Sequence, residues 1–208
     1  MLSHELSAWS TGLLLLGIDE VGRGPLAGPV VAAAVVFPRD HGGIDGVRDS
    51  KQIKSAARRD ELAGAIQHEC LAFGLGAASV TEIARINIRR ASILAMRRAM
   101  LRCQARLGDL QVTILVDGLP VPELGAPHQS LVKGDSLCHA IAAASILAKV
   151  ARDRLMARLA ARRPGYGWES NAGYASAGHI SALHALGLTP HHRQLFCDTA
   201  MGQHSLAL

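Results

Sequence analysis

Apolar positions along this chain keep two rhythms. Leu13–Ile18 and Val30–Phe37 are unbroken apolar runs, the second rich in valine. Such runs predict strands buried on both faces. Between them lies a turn-rich insert holding Asp19, Glu20, Arg23, three glycines and two prolines. A helical rhythm then spans Lys54–Cys70, with Ala57, Leu62, Ala65 and Ile66 directed inward. Leu71–Ala78 reads as a strand of small apolar residues. A long helix starts at Thr81 as N-cap, with Glu82 at its positive end and Arg97, Arg98 and Arg102 toward its negative end. Its inward stripe is Ile83, Ile86, Ile93, Met96 and Met100. Gln111–Val116 is a β-branched strand ending at Asp117-Gly118, and Ser130–Lys133 is a short one. Gly134-Asp135-Ser136 opens a helix running through Ile141, Ala144, Leu147, Ala148, Ala151 and Leu155. An aromatic, glycine-rich loop covers Pro164–Gly178, and a last helix, His179–Leu186, stops at Gly187.

Two strands first, then strands alternating with helices, predict an α/β protein with a mixed central sheet and helices on both faces. With 208 residues, 49% of them hydrophobic, the chain is expected to form one domain, 1–208, with a substantial core. Residues 1–12 read as a loosely ordered leader and about 197–208 as a flexible tail. The net charge of +5 suits a polyanionic partner without requiring one. Its arrangement says more, because acidic residues sit at predicted strand ends while Arg and Lys crowd the helices. Cys70, Cys103, Cys138 and Cys197 lack C-x-x-C spacing and read as free thiols of a reducing compartment. The run Leu13–Leu16 is too short to span a bilayer, so no membrane role and a cytoplasmic location are expected.

Asp19 and Glu20 are adjacent ionisable groups at the end of a buried strand, where apolar surroundings would force protonation or a cation partner. The insert reads as a hairpin with a solvated acidic loop, or as a site where glycine backbone meets a metal or phosphate. Taken singly, Asp117 and Asp135 read as turn or cap residues. Asp19, Glu20, Asp117 and Asp135 nevertheless share one kind of position, a strand's end or the start of the next element. Convergent carboxylates without Cys/His spacing favour hard cations, Mg²⁺ or Mn²⁺. A pair of such ions about 4 Å apart suits phosphodiester hydrolysis.

GIDEVGRGPLAGPVV, DSK at 49–51, RINI at 85–88, VDG at 116–118, VKGDS at 132–136, AASILAKVARDR at 143–154, NAGY at 171–174 and HHR at 191–193 resemble ribonuclease HII, in order and at family-like spacing. The resemblance implies a ribonuclease-H-like three-layer fold with a helical C-terminal extension. It implies an endonuclease cutting the RNA strand of RNA–DNA hybrids and incising at single ribonucleotides in duplex DNA, as in ribonucleotide excision repair, leaving a 3′-OH and a 5′-phosphate. Asp19, Glu20, Asp117 and Asp135 would be its metal-binding catalytic carboxylates. Gly22, Arg23 and Gly24 would read the ribose 2′-OH, the group that distinguishes RNA from DNA. Tyr174 would pack on the following deoxyribose, and Ser50, Lys51 and Lys133 would contact the phosphate backbone. Ala84 and Ala172 depart from the family pattern, which bears on duplex affinity rather than on the carboxylates.

Two other classes compete with that reading: a hybrid-binding module without chemistry, and another nuclease of the same fold. Intact carboxylates argue against the first, since a binder gains nothing from anions facing phosphate. The glycine–arginine–glycine with Tyr174 argues against the second. His191-His192-Arg193 reads as structural or phosphate-facing rather than as a zinc site, Tyr166 and Trp168 as loop or core anchors, and Cys138 as packing within a helix. Lys149, Arg152, Asp153 and Arg154 read either as a salt-bridged surface or as support for the backbone. Gln203–Leu208 resembles peptides that dock bacterial sliding clamps.

Overall fold

The computed structural model describes residues 2–48 and 50–202, with the main chain alone at Lys51. Strands β1 (Leu14–Val21), β2 (Val30–Val36), β3 (Ala72–Ala78), β4 (Val112–Asp117) and β5 (Gln129–Leu131) form one sheet in the order β3-β2-β1-β4-β5. β2 runs antiparallel to β1 and β3 antiparallel to β2, while β4 is parallel to β1 and β5 parallel to β4. The two unbroken apolar runs thus become adjacent central strands. The helices are α1 (Ser3–Ser10), α2 (Ala56–Glu69), α3 (Val80–Leu107), α4 (Gly134–Leu137), α5 (His139–Arg162), α6 (Trp168–Asn171), α7 (Ala177–Leu186) and α8 (Gln194–Ala200).

Strand alternation assigns the layers. Leu14, Leu16 and Ile18 of β1, with Val30, Ala32 and Ala34 of β2, face Ala95, Met96, Ala99 and Met100 of α3. Leu15, Ala33 and Val35 face the other way, toward Ile141, Ala144 and Ala148 of α5 and Leu62 and Ile66 of α2. A third cluster joins Leu26, Ala27 and Met156 to Tyr166, Trp168, Leu183 and Cys197, forming the helical C-terminal extension.

Several boundaries differ from the sequence reading. The leader is helical over Ser3–Ser10, and its Ala8 and Glu5 are buried. α3 is capped by Ser79, not Thr81: Ser79 Oγ accepts the Glu82 N–H at 3.2 Å while the Glu82 carboxylate accepts the Ser79 N–H at 2.8 Å. That reciprocal pair satisfies two otherwise open donors. α3 then breaks at Asn87 (φ 64°, ψ 166°), whose Oδ1 accepts the Arg90 N–H at 3.1 Å and starts the helix again. The helix drawn from Gly134 onward is two helices, because Cys138 is extended between them. α8 was not anticipated, and it runs through the start of the supposed tail.

β3 is an edge strand, and α3 seals it. Arg98 donates to the Ala77 carbonyl at 2.7 Å, Arg102 to Leu75 at 2.5 Å and Arg106 to Phe73 at 2.8 Å. Four residues of helix rise about 6 Å and two residues of strand about 6.6 Å, so one arginine per helical turn meets every second carbonyl. Gly74 and Gly76 let the helix lie this close, since a side chain at either would strike α3 backbone.

Candidate active site

Asp19 follows the parallel register Ile18↔Val116, which sets it beside Asp117 at the C-terminal ends of β1 and β4. Both continue the odd-numbered positions, Leu15 and Leu115, that face α5. Asp135 enters from α4, just after β5. Ligand atoms of Asp19, Asp117 and Asp135 lie within 4.8 Å of one another. Crevices at the carboxyl ends of parallel strands are where open α/β sheets bind ligands.

The backbone holds this cluster. Asp117 Oδ1 accepts the Gly134 N–H at 2.6 Å, and Asp19 Oδ1 accepts the Glu20 N–H at 2.7 Å. The Ser136 hydroxyl lies 3.4 Å from Asp135 Oδ1. Burial, then repulsion from Glu20 and Asp117, pushes the Asp19 carboxyl well above the usual carboxylate range. Glu20 occupies the alternate position of β1, and its Oε1 pairs with Arg23 at 3.3 Å rather than joining the three aspartates. Burial raises its pKa, which Arg23 opposes and Asp117 reinforces. The carboxylates predicted as one set are therefore three plus a neighbour. Three carboxylates with oxygen-only donors at this spacing fit a hard divalent cation, which would relieve the repulsion that Glu20 and Asp117 exert on Asp19.

The loop between β1 and β2 is held by two buried arginines. Arg152 Nε donates to Pro29 O at 3.0 Å, its Nη2 to Ala27 O at 3.0 Å and its Nη1 to Ala172 O at 2.9 Å. Arg193 Nε donates to Gly28 O at 3.0 Å, Nη1 to Arg23 O at 2.8 Å and Nη2 to Gly22 O at 2.6 Å. Burial and the neighbouring Arg152 lower the Arg193 pKa to about 9. Gly22 sits at φ +90° with the Arg152 side chain against it, so any other residue there would be strained and would displace Arg152. Gly24, in contrast, has open space where a side chain would stand. The Arg23 side chain is exposed while its carbonyl is clamped.

Tyr174 is 43% exposed, and the Arg152 guanidinium lies 5.9 Å from its ring centre. Arg152 thus ties the glycine–arginine–glycine loop to the turn carrying Tyr174. Behind that turn, His179 Nδ1 donates to the Tyr174 carbonyl at 2.8 Å, and Trp168 Nε1 donates to His179 Nε2 at 3.0 Å. Tyr166 and Trp168 stack with centroids 5.1 Å apart, so both are anchors, as predicted. Lys133 is exposed at φ 59°, immediately before Gly134. Ser50 is buried, with its hydroxyl 2.9 Å from that of Ser145, whose side chain in turn hydrogen-bonds Asp19. The Lys51 side chain, Asp49 and Gln203–Leu208 lie outside the described residues.

Arg152 and Arg193 escaped sequence reasoning as site residues. The signal for Arg152 was its register: it falls between buried Ala148 and Met156 on the i, i+4 stripe of α5, where a charged residue needs buried partners. Its neighbours do make surface pairs, Lys149 with Asp153 at 2.8 Å and Arg154 with Asp60 at 2.8 Å. In the HHR motif, His192 and Arg193 are buried structural groups.

Residues 16–199 match the family model for ribonuclease HII. The chain is 52% identical over 190 residues to ribonuclease HII of Granulibacter bethesdensis, covering 89% of this chain and 84% of that protein. It is 49% identical to that of Synechococcus sp. (strain JA-3-3Ab), covering 94% and 87%. Among solved structures, ribonuclease HII in the PCNA complex from Archaeoglobus fulgidus superposes with a TM-score of 0.71 at 27% identity, over 87% of this chain and 94% of that one. Bst-RNase HIII in complex with Mn2+ gives 0.70 at 22%, over 91% and 70%, a likeness of fold. With a matching family model across most of its length and relatives at half identity, this chain belongs to the ribonuclease HII family.

Proposed function

We propose that this ribonuclease H, which hydrolyses the RNA strand of RNA–DNA hybrids, also incises duplex DNA at single embedded ribonucleotides, leaving a 3′-OH and a 5′-phosphate. The observation that supports this most is the meeting of Asp19, Asp117 and Asp135 within 4.8 Å, beside a glycine loop locked to Tyr174. Those three would hold two divalent ions, Mn²⁺ or Mg²⁺, with Glu20 joining from the next position on β1. Such ions activate water and offset charge on the scissile phosphate and its 3′-oxygen leaving group.

The chain's own part is positioning and discrimination. Main-chain N–H groups of Gly134 and Glu20 hold two of the carboxylates in place before substrate arrives, so little reorganisation is left for the reaction. Arg23, paired with Glu20 at the loop's exposed edge, exchanges that carboxylate for a substrate phosphate. The open space at Gly24 lets a ribose approach the main chain, where its 2′-OH meets the peptide groups around Gly22 and Gly24. Tyr174 packs on the next deoxyribose, where a second hydroxyl would clash. Ser50, Lys51 and Lys133 contact the phosphate backbone. A sliding clamp is a further partner, through Gln203–Leu208, and the Archaeoglobus fulgidus relative solved with PCNA supports it. No helix among the described residues is long and apolar enough to cross a membrane.

The test is cleavage of a DNA duplex carrying one ribonucleotide, beside a long hybrid, with Mn²⁺, with Mg²⁺ and with chelator. Cleavage of both with metal is expected. An intact single-ribonucleotide duplex alongside a cleaved hybrid refutes the incision reading. Tyr174→Ala is expected to lose cleavage at the isolated ribonucleotide more than on the long hybrid, and equal losses would remove Tyr174 from that role.

A further inference from the structure

Glu5 belongs to a segment that the sequence marks only as a leader, yet it is 1% exposed. Its Oε1 accepts the Ala140 N–H at 2.9 Å and the Cys138 S–H at 3.2 Å, while Oε2 is buried without a hydrogen-bond partner. An acid in so dry a place needs an offset. α5, 24 residues long, has no side-chain cap of its own at Cys138. The Glu5 carboxylate stands there instead, at the positive end of the helix. A helix from the far N-terminus therefore supplies a cap that local sequence does not.

What this cap touches connects it to the acidic cluster. Cys138 follows α4, the single turn that carries Asp135, and its N–H closes that turn on the Gly134 carbonyl at 2.8 Å. The Gly134 N–H in turn holds Asp117. Ala140 and Ile141, the first turn of α5, lie so tightly on Gly17 of β1 that a methyl group at Gly17 would strike their backbone. Asp19 is two residues further along that strand. One side chain thus sits where the end of α4, the start of α5 and the middle of β1 meet.

We propose that Glu5 is a positioning residue for the metal-binding carboxylates, setting the spacing of Asp135 from Asp19 through Cys138 and the first turn of α5. This rests on the reading that Asp19, Asp117 and Asp135 hold divalent ions. The α1 helix is then a working part of the site, and a variant lacking it would bind metal weakly even where the sheet survives.

The experiment is calorimetric titration of full-length protein with Mn²⁺, paired with thermal melts in chelator and with the metal dependence of hybrid cleavage. Glu5→Ala is expected to weaken Mn²⁺ binding about tenfold, with turnover recovered by added metal and the KM for hybrid unchanged. Glu5→Gln keeps the Oε1 acceptor and is expected to restore most of the affinity. Glu5→Asp, one methylene short of Ala140, is expected to fall between them and serves if Glu5→Ala does not fold. A lowered melting temperature with wild-type Mn²⁺ affinity, in Glu5→Ala or Glu5→Asp, overturns the proposal. Asp117→Asn separates the two readings: if it binds Mn²⁺ as the wild type does, the metal assignment fails, not the positioning argument alone.

Discussion

The imidazoles of His179 and His192 meet Nε2 to Nε2 at 3.1 Å inside the C-terminal extension. Their other partners assign the protons. His179 Nδ1 donates to Tyr174 O, so its Nε2 is an acceptor; His192 Nδ1 accepts the Thr189 N–H at 2.9 Å, so its Nε2 is the donor. Both rings are held neutral. Burial lowers both pKa values, that of His192 to about 4, with His179 and His191 adding to the effect. Because the unfolded chain takes up these protons first, the pair's contribution is intact above pH 6.5 and is lost as pH falls toward 4. Urea melts of wild type and His192→Gln at pH 7.5 and pH 5 are expected to show a smaller pH-dependent loss in the variant. An equal loss would mean that the pair does not govern the acid limb.

The repulsion among Asp19, Asp117 and Glu20 gives a prediction that needs no substrate. In chelator, Asp117→Asn is expected to melt above the wild type, since a half-buried like charge beside Asp19 is removed while the acceptor for Gly134 N–H is kept. Added Mn²⁺ is expected to raise the wild-type melting temperature, as a ligand of the folded state does, and to move the variant much less. The same variant is expected to bind hybrid and cleave it roughly a thousandfold more slowly, the scale of losing several kcal/mol of charge stabilisation. Near-normal cleavage would contradict the metal assignment.

Gly22 and Gly24 are two residues apart and are expected to respond in opposite ways. Gly22→Ala costs about 1–2 kcal/mol in backbone conformation alone and displaces Arg152 as well, so its melting temperature falls. Gly24→Ala meets nothing in the free protein, so its melting temperature is unchanged while the single-ribonucleotide duplex is cleaved poorly. A Gly24→Ala enzyme with undiminished incision would remove that main chain from 2′-OH recognition.

Arg98, Arg102 and Arg106 occupy the carbonyls on the open edge of β3. Unpaired sheet edges invite pairing with another chain. Replacing all three with alanine is expected to produce concentration-dependent self-association in size-exclusion chromatography with light scattering, with the fold retained by circular dichroism. A monodisperse monomer at every concentration would show that the edge is protected otherwise.

Much of the architecture was legible along the chain, because a strand buried on two faces leaves an unbroken apolar run and each helix leaves its stripe. Leu13–Ile18, Val30–Phe37 and the stripe through Ile141 and Ala148 needed no partner to be recognised. The acidic residues stood out for a similar reason: a carboxylate at the end of an apolar run is conspicuous wherever the chain goes next. Local pattern was weaker at breaks. Asn87 and Cys138 interrupt helices whose apolar spacing continues past them, and the cap of α3 lay at Ser79 because its partner, Glu82, is three residues on.

Sequence alone therefore determined the α/β class and the family resemblance and singled out Asp19, Glu20, Asp117 and Asp135 as candidates, since residue type and spacing along one strand or helix carry that information. Which carboxylates meet was decided by strand parity and by the parallel register of β1 with β4, which put Asp19 and Asp117 on one face and Glu20 beside Arg23. The partners of Glu5, Arg152 and Arg193 also came only from the tertiary structure. Each satisfies backbone groups more than 19 positions away in sequence, and a hydrogen bond between such distant segments leaves no periodic trace in either.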